Sequence, residues 1–163
     1  MKKHTISILV ENKFGALNRI VGLFSARGYN IDSISVGTSE DDSVARVTIV
    51  SKGDDAIIEQ IIKQLNKIVD VIKVVDLTYD SFVERELVLI KVSANRNTRP
   101  ELMQISEIFR TKIVDISPRS LTIEATGGEQ KVQALIKMLS PFGIKEIART
   151  GRVALKREFE GAL

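Results

Sequence analysis

The sequence of 163 residues contains no cysteine, no tryptophan and one histidine. Without cysteine the chain can form no disulfide framework and no thiolate metal site, and it has no thiol nucleophile. A single histidine excludes the usual histidine-based metal clusters and removes the commonest residue of general acid–base catalysis. These absences fit a protein of the reducing cytoplasm and argue against acid–base catalysis.

Long apolar runs are also missing, because none approaches the roughly 18 to 20 residues that a membrane-spanning helix needs. The first residues, MKKHT, are basic but lead into an alternating segment rather than the apolar block of a signal peptide. We therefore expect a cytoplasmic protein without a leader. A composition of 44% hydrophobic and 28% charged residues is typical of globular chains, and the length suits one medium or two small domains.

The charge balance gives little indication of a nucleic-acid partner. Residues 1–80 carry a net charge of −1 and residues 81–163 a net charge of +4. A dedicated nucleic-acid binder usually concentrates more positive charge on one face. We expect no nucleic-acid partner.

Periodicity predicts the order βαββαβ in the first half of the chain. Alternating apolar residues predict strands at 5–10, 31–36 and 44–50, and a further strand at 71–77. Leu17, Ile20, Val21 and Phe24 lie at helical spacing, and Gly28 is placed to end that helix. Asp54 can cap a second helix whose apolar residues run from Ile57 to Ile68.

The second half repeats the order with a period of about 80 residues. Strands are predicted at 87–92, 113–116, 121–125 and 144–153, with Pro118 and Arg119 in a short hairpin connection. Thr98 can cap a helix that contains Pro100 in its first turn, and 132–139 forms another helix.

A βαββαβ unit folds into a four-stranded antiparallel sheet with both helices on one face, the ferredoxin-like arrangement. The predicted fold class is therefore α+β, with two ferredoxin-like domains in tandem at 1–79 and 82–163. The opposite face of each sheet would be uncovered. We therefore expect two units or two copies to cover each other, and predict a homodimer.

The segment from Glu11 to Leu17 joins the first strand to the first helix. Gly15 lies at the helix entrance, where backbone N–H groups lack intrahelical acceptors and the helix dipole is positive. Such a position can hold a small anion such as an amino-acid carboxylate, and glycine lets it approach the backbone. Asn12 adds a donor and an acceptor. The alternative is that Asn12 and Gly15 only form a strand-to-helix turn.

Asn30 enters the second strand after Gly28 and Tyr29. Its amide is either an ordinary turn residue or faces a ligand that the Gly15 loop of a neighbouring copy holds. His4 is expected to be an exposed or packed imidazole, and the acidic pairs at 41–42 and 54–55 to be solvated turns and caps rather than metal ligands. No catalytic or metal residue is predicted.

Residues 11–31 resemble a known family. Their sequence, ENKFGALNRIVGLFSARGYNI, is similar to the opening of the regulatory (small) subunit of acetohydroxyacid synthase, also called acetolactate synthase. ACT domains, which are amino-acid-sensing modules of βαββαβ topology, share only the strand–loop–glycine–helix pattern. The residues more specific to this subunit are those at 22–25 and 27–31, and the similarity continues at 83–87, 107–110 and 114–115.

The resemblance implies that the chain is a non-catalytic subunit in valine, leucine and isoleucine synthesis. A separate catalytic subunit uses thiamine diphosphate, Mg²⁺ and FAD to condense pyruvate with a second 2-ketoacid, and the small subunit itself holds no cofactor. The small subunit raises that activity and confers feedback inhibition, most often by valine. The implied partners are the large catalytic subunit, a second copy of the chain, and valine or another branched-chain amino acid.

By the same resemblance, the effector lies where two N-terminal domains meet. One copy contributes the loop and the other the strand, which gives the candidate effector residues Asn12, Phe14, Gly15, Ala16, Leu17, Asn30 and Ile31. Many ACT domains have a small residue or a proline before the glycine. The ring of Phe14 could instead wall the pocket or change its size. From the residues, Leu17, Ile31 and Ile34 are candidate apolar walls that would favour a branched side chain.

Two other functions are weighed against this one. An ACT-domain sensor that regulates a different enzyme or a transcription unit would, in the second case, bind DNA with a steep salt dependence, but no helix-turn-helix element is evident. An enzyme in its own right needs a constellation of titratable groups that the sequence does not show.

Overall fold

The computed structural model describes residues 2–158 and divides them into two compact units. Residues 2–83 together with 152–158 form the first unit, and residues 84–151 form the second. The predicted functional division into 1–79 and 82–163 remains a prediction. The longest helices in the described part have 11 residues, and none of its helices is long and apolar enough to cross a membrane.

The first unit has the predicted βαββαβ order. Its elements are β1 (Lys2–Glu11), α1 (Ala16–Ala26), β2 (Ile31–Thr38), β3 (Val44–Gly53), α2 (Asp55–Leu65) and β4 (Val71–Asp76), followed by a 3₁₀ turn at Leu77–Tyr79. The strands form one antiparallel sheet in the order β2-β3-β1-β4.

Alternation along β1 builds the core of this unit. Ile6 and Ile8 lie opposite Ile49 and Val47 of β3, and all four are fully buried against the helix layer. Phe24 of α1 packs into the same core and is fully buried. Because successive side chains of a strand point to opposite faces, one face of the sheet carries this apolar set. α1 therefore packs on the apolar face of the sheet, which is the face that the strand period predicts to be buried.

The second unit repeats the topology around its own core. It contains most of β5 (Phe82–Ser93), then α3 (Arg99–Ile108), β6 (Lys112–Ile116), β7 (Ser120–Gly127), α4 (Glu129–Leu139), a 3₁₀ turn at Ser140–Phe142 and β8 (Ile144–Arg149). The antiparallel order is β6-β7-β5-β8, which is that of the first sheet. Two ferredoxin-like units in tandem are therefore confirmed.

The predicted strand at 144–153 is wrong, because the structure has two strands there. β8 ends at Arg149, and β9 (Val153–Lys156) follows after Gly151, whose φ of 82° is left-handed. A left-handed residue cannot continue an extended strand, so the chain turns. β9 belongs to the first unit.

The expectation of an uncovered sheet face also needs correction in the first unit. Val50 follows core-facing Ile49, so it points away from the helices, as do its cross-strand partners Thr5 and Ser33. The backbone N–H of Arg152 donates to Ser33 Oγ at 3.0 Å, and Ala154 of β9 is buried. The chain's own C-terminal strand therefore covers part of this face.

Helix boundaries agree with the sequence at Gly28, Asp54 and Thr98, but α2 ends at Leu65 rather than at the predicted Ile68. Gly28 has a φ of 70° two residues after the last residue of α1, as predicted for a terminating glycine. Asp54 and Thr98 precede α2 and α3, yet within residues 2–158 neither side chain caps its helix. At α3 the cap is Asn95, whose Oδ1 accepts the backbone N–H groups of Asn97 and Thr98 at 2.8 and 2.9 Å.

Candidate functional site

The entrance of α1 has backbone donors that the fold leaves unused. Gly15 is left-handed at φ 82°, and its carbonyl accepts the N–H of Arg19 at 3.1 Å. Among residues 2–158, the N–H groups of Phe14, Gly15, Leu17 and Asn18 have no acceptor. The first turn of α1 contains no acidic side chain that would compete for them. The positive end of α1 therefore offers several unpaired donors to an anion.

Arg19 lies directly beside this entrance. A Cβ atom placed on Gly15 would be 3.4 Å from Arg19 Nη1. The same guanidinium donates through Nε to Asp70 Oδ2 at 2.9 Å and also contacts that oxygen through Nη2, while Asp70 is buried. Asp70 thus fixes the guanidinium next to the open amides and balances its charge.

Asn12 fixes the other side of the loop. Its backbone N–H donates to the carbonyl of Ser43 at 2.8 Å, and its side-chain Nδ2 donates to the carbonyl of Asp42 at 3.0 Å. The amide nitrogen is therefore used to attach the loop to the turn between β2 and β3. The Oδ1 acceptor of Asn12 has no donor within residues 2–158, so it is the atom left to face a ligand.

The remaining predicted loop residues differ in exposure. Phe14 is fully exposed and Leu17 is exposed, whereas Ala16, the first residue of α1, is buried. On β2, Ile31 and Ile34 are partly buried and pack against the core of the first unit. Of the predicted apolar walls, Leu17 is therefore the most accessible in the single chain.

Asn30 is exposed and lies at the far end of α1 from Gly15. Its carbonyl accepts Ser51 Oγ–H at 2.8 Å, while its side-chain Nδ2 is 3.5 Å from Asp32 Oδ1, too long for a strong hydrogen bond. The 11 residues of α1 separate Gly15 from Asn30 by about 16 Å. A single chain therefore does not bring the two predicted groups together.

His4 is a packed imidazole that lies between two carboxyl groups. Only 1% of its side chain is exposed, and its Nδ1 lies 3.0 Å from Asp76 Oδ2 while its Nε2 lies 3.3 Å from Asp55 Oδ1. Tyr79 donates its hydroxyl proton to Asp55 Oδ1 at 2.5 Å. That hydrogen bond lowers the pKa of the Asp55 carboxyl and raises the pKa of the Tyr79 hydroxyl. The cluster attaches α2 and the 3₁₀ turn to β1.

Asp41 lies in an exposed turn between β2 and β3. Asp41 Oδ1 accepts both the backbone N–H and the hydroxyl of Ser43 at 2.9 and 2.7 Å, and these hydrogen bonds lower the pKa of Asp41. Across residues 2–158, no group of three or more metal-ligating side chains is placed to hold a metal ion.

The Arg19–Asp70 ion pair is the feature of this site that sequence reasoning missed. The two residues are 51 positions apart, and only the pairing of β1 with β4 brings them together. The N–H of Glu11 donates to the carbonyl of Asp70 at 2.8 Å, which continues that pairing into the loop. Arg19 lies one turn into α1, and nothing in the sequence around it indicates that Asp70 is its partner.

Both halves of the chain match known families. Residues 6–73 match an AHAS small subunit-like ACT domain, and residues 85–158 match the small subunit of acetolactate synthase. A probable acetolactate synthase small subunit from Archaeoglobus fulgidus is 54% identical over 155 residues, which cover 95% of this chain and 97% of that relative. The chain belongs to the acetolactate synthase small subunit family.

Other members of the acetolactate synthase small subunit family agree. The relative from Aquifex aeolicus is 50% identical over 159 residues, covering 97% of this chain and 83% of its own. The crystal structure of the small subunit from Thermotoga maritima superimposes with a TM-score of 0.85 at 45% identity, covering 96% of this chain and 98% of that one. Membership confirms the predicted resemblance and fold, and it supports a regulatory rather than a catalytic subunit.

Proposed function

We propose that this chain raises the activity of a catalytic acetolactate synthase subunit and makes it subject to feedback inhibition by valine or another branched-chain amino acid. The observation that carries the proposal is the set of unpaired backbone donors at Gly15, at the start of α1. An amino-acid carboxylate is a small anion that such donors can bind. We further propose that the protein is cytoplasmic, as expected for a subunit of a biosynthetic enzyme.

The effector site requires two copies of the chain. Gly15 and Asn30 lie at opposite ends of α1, so a ligand that contacts both must receive them from different chains. In the proposed homodimer, the amides around Gly15 of one copy bind the carboxylate, and the amide of Asn30 of the other copy contacts the ligand's polar head group. Leu17 then faces the apolar side chain, and the exposed ring of Phe14 limits the size of the pocket.

The chemistry belongs to the partner. Thiamine diphosphate, Mg²⁺ and FAD are proposed for the catalytic subunit, where pyruvate is condensed with a second 2-ketoacid. The effector inhibits because it binds the inhibited complex more tightly than the active one, and a coupling of about 1–3 kcal/mol is typical for allosteric proteins. We propose that the effector changes the relative arrangement of the first units of the two copies in the dimer.

Reconstitution tests this function directly. Activity of the catalytic subunit is measured alone, with this chain, and with this chain plus valine, leucine or isoleucine. We expect the chain to raise the rate and at least one of the three amino acids to lower it. An unchanged rate in all mixtures would contradict the proposal, and turnover of pyruvate by the isolated chain would show an enzyme instead.

The site is tested by Gly15→Asp with Gly15→Asn as its matched control. Both side chains have the same size and tolerate a positive φ, but only Asp brings a carboxylate next to that of the ligand. We expect calorimetry to show weaker effector binding for Gly15→Asp than for Gly15→Asn. A folded Gly15→Asp protein with wild-type affinity would remove Gly15 from the site.

A further inference from the structure

The two most exposed large apolar side chains among residues 2–158 flank one ion pair. Phe14 is fully exposed, and Val69, in the turn between α2 and β4, is 94% exposed. Phe14 precedes Gly15, against which the Arg19 guanidinium lies, and Val69 precedes Asp70, to which that guanidinium is bonded. The two apolar side chains therefore belong to adjoining loops rather than to separate parts of the surface.

A third apolar side chain continues this surface along the sheet edge. Val71 pairs with Val10 and Lys73 pairs with Leu9, so Ile72 is the extra residue of a bulge in β4. β4 is an edge strand of its sheet, and Ile72 is 55% exposed. We call Val69 and Ile72 the β4-edge surface, and Phe14 of the proposed effector loop lies beside it. Clusters of exposed apolar side chains of this kind commonly mark protein interaction sites.

Unpaired lysines surround the β4-edge surface. Lys67 and Lys73 are exposed, and neither side chain has an ion-pair or hydrogen-bond partner in the part of the chain that the structure describes. The acidic residue between them, Asp70, is buried and bonded to Arg19. The rim is therefore positive, and it fits a partner whose apolar contact is bordered by carboxylates.

A second copy of this chain does not fit that rim. An isologous contact through the β4-edge surface would place the same patch on both sides of a two-fold axis. Lys67 and Lys73 of the two copies would then approach one another, and like charges across an interface oppose association. The charges therefore favour a different protein as the occupant.

We propose that the β4-edge surface docks the first unit on the catalytic subunit, through an apolar contact bordered by acidic side chains. This inference rests on the proposed function, which supplies that partner. The proposal also gives a physical link between docking and effector binding. Arg19 lies beside Gly15 of the effector loop, and its bond to Asp70 fixes the turn that contains Val69. Movement of the Arg19 guanidinium would therefore shift both the Gly15 loop and the turn at Val69.

Association of the full chain with its cognate catalytic subunit tests the proposal. We expect Val69→Glu and Ile72→Glu each to weaken binding at least tenfold in sedimentation or interferometry, because each places a carboxylate against an acidic, apolar partner. Val153→Glu on β9 makes the same change at a residue that is 52% exposed, and should bind as the wild type does. Valine affinity, measured by calorimetry, should be unchanged in Val69→Glu.

The lysine rim has its own test, which leaves the apolar residues in place. Lys67→Gln with Lys73→Gln should weaken association at low salt, and the difference from the wild type should shrink as salt is raised. This variant also decides the matter if Val69→Glu fails to fold.

Three results would overturn the docking proposal. The first is wild-type binding by folded Val69→Glu and Ile72→Glu, or by the lysine variant at low salt. The second is an equal loss in Val153→Glu. The third is that Val69→Glu changes the oligomeric state of the isolated protein in solution, since the surface would then join copies of the chain. Failure of the wild-type chain itself to bind the catalytic subunit would instead reject the proposed function.

Discussion

His4 illustrates how much a single position depends on tertiary neighbours. The sequence left open whether this imidazole is exposed or packed, because its surroundings come from residues more than 50 positions away. Asp76 lies on one side and Asp55 on the other, while the Tyr79 ring meets the imidazole edge-on at 6.1 Å between ring centres. Local periodicity places His4 on a strand but carries no information on these contacts.

Replacing Tyr79 with Phe gives a pH-dependent prediction at this scale. The Tyr79 hydroxyl lowers the Asp55 pKa below its ordinary value of 3.8, so the bond stabilises the fold above that pH and is lost as pH falls through the folded-state pKa. We expect Tyr79→Phe to be less stable than the wild type in urea unfolding at neutral pH.

The difference between Tyr79→Phe and the wild type should shrink as pH falls below 3.8 and through the lowered pKa of Asp55, where the carboxylate becomes protonated. Asp55→Asn provides the control, because the effect of Tyr79→Phe on that background should not vary over this range. If Tyr79→Phe and the wild type, both with Asp55 in place, differ equally in stability at neutral and acidic pH, the Tyr79–Asp55 hydrogen bond is not the cause.

Among the elements, α1 and α3 end in the same way with different residues. Gly28 and Arg110 each lie two residues after the last residue of their helix, at φ 70° and 53°. A left-handed conformation costs an ordinary L-residue about 1–2 kcal/mol, and glycine avoids most of that cost. The two positions therefore form a matched pair for substitution.

We predict that Arg110→Gly raises the free energy of unfolding by up to about 1 kcal/mol, and that Gly28→Ala lowers it by about 1 kcal/mol. A Cβ on Gly28 would meet no atom within 4 Å, so the loss reflects backbone strain alone. Denaturant unfolding of both variants checks the prediction. Changes of the same sign would show that contacts, rather than φ, decide these positions.

The elements were largely predictable because their apolar periods are strong. The period of two in β1 and the helical spacing around Phe24 predict both the strands and the face that they bury. The split between β8 and β9 was not predictable, because a glycine alone does not disclose its φ. The Asn95 cap of α3 was missed because Thr98 occupies the expected position and has the preferred chemistry.

At the scale of the whole molecule, the geometry around the proposed effector site could be predicted only in part. The Gly15 loop followed from local chemistry and resemblance, whereas the Arg19–Asp70 pair required the sheet register. The proposed union of Gly15 with Asn30 concerns two chains. Their separation along α1 is the strongest structural reason for it.

Mixing two defective proteins tests this union. Asn30→Ala should weaken valine binding by about 1–3 kcal/mol if its amide meets a buried charged group, and Gly15→Asp should also weaken it. In a mixed dimer, one site combines both substitutions and the other has neither. Equilibrated equal amounts should therefore regain full affinity at about one quarter of all sites.

Calorimetry of the mixture, compared with each parent, provides the measurement. A mixture of two single-residue variants on the same side of the site, Gly15→Asp and Leu17→Glu, serves as the control and should regain nothing. Absence of recovery in the first mixture would mean that Gly15 and Asn30 do not share a site across two chains.

The backbone N–H donors at the starts of α1 and α3 differ in whether a side chain accepts them. At α3, the side-chain oxygen of Asn95 already takes the amide protons of Asn97 and Thr98, whereas the corresponding donors of α1 remain unclaimed. The second unit therefore satisfies these donors with an amide oxygen of its own chain, whereas α1 keeps its donors available. The topology is repeated but the open helix entrance is not, so under the proposed function each chain would bind one effector molecule through such an entrance.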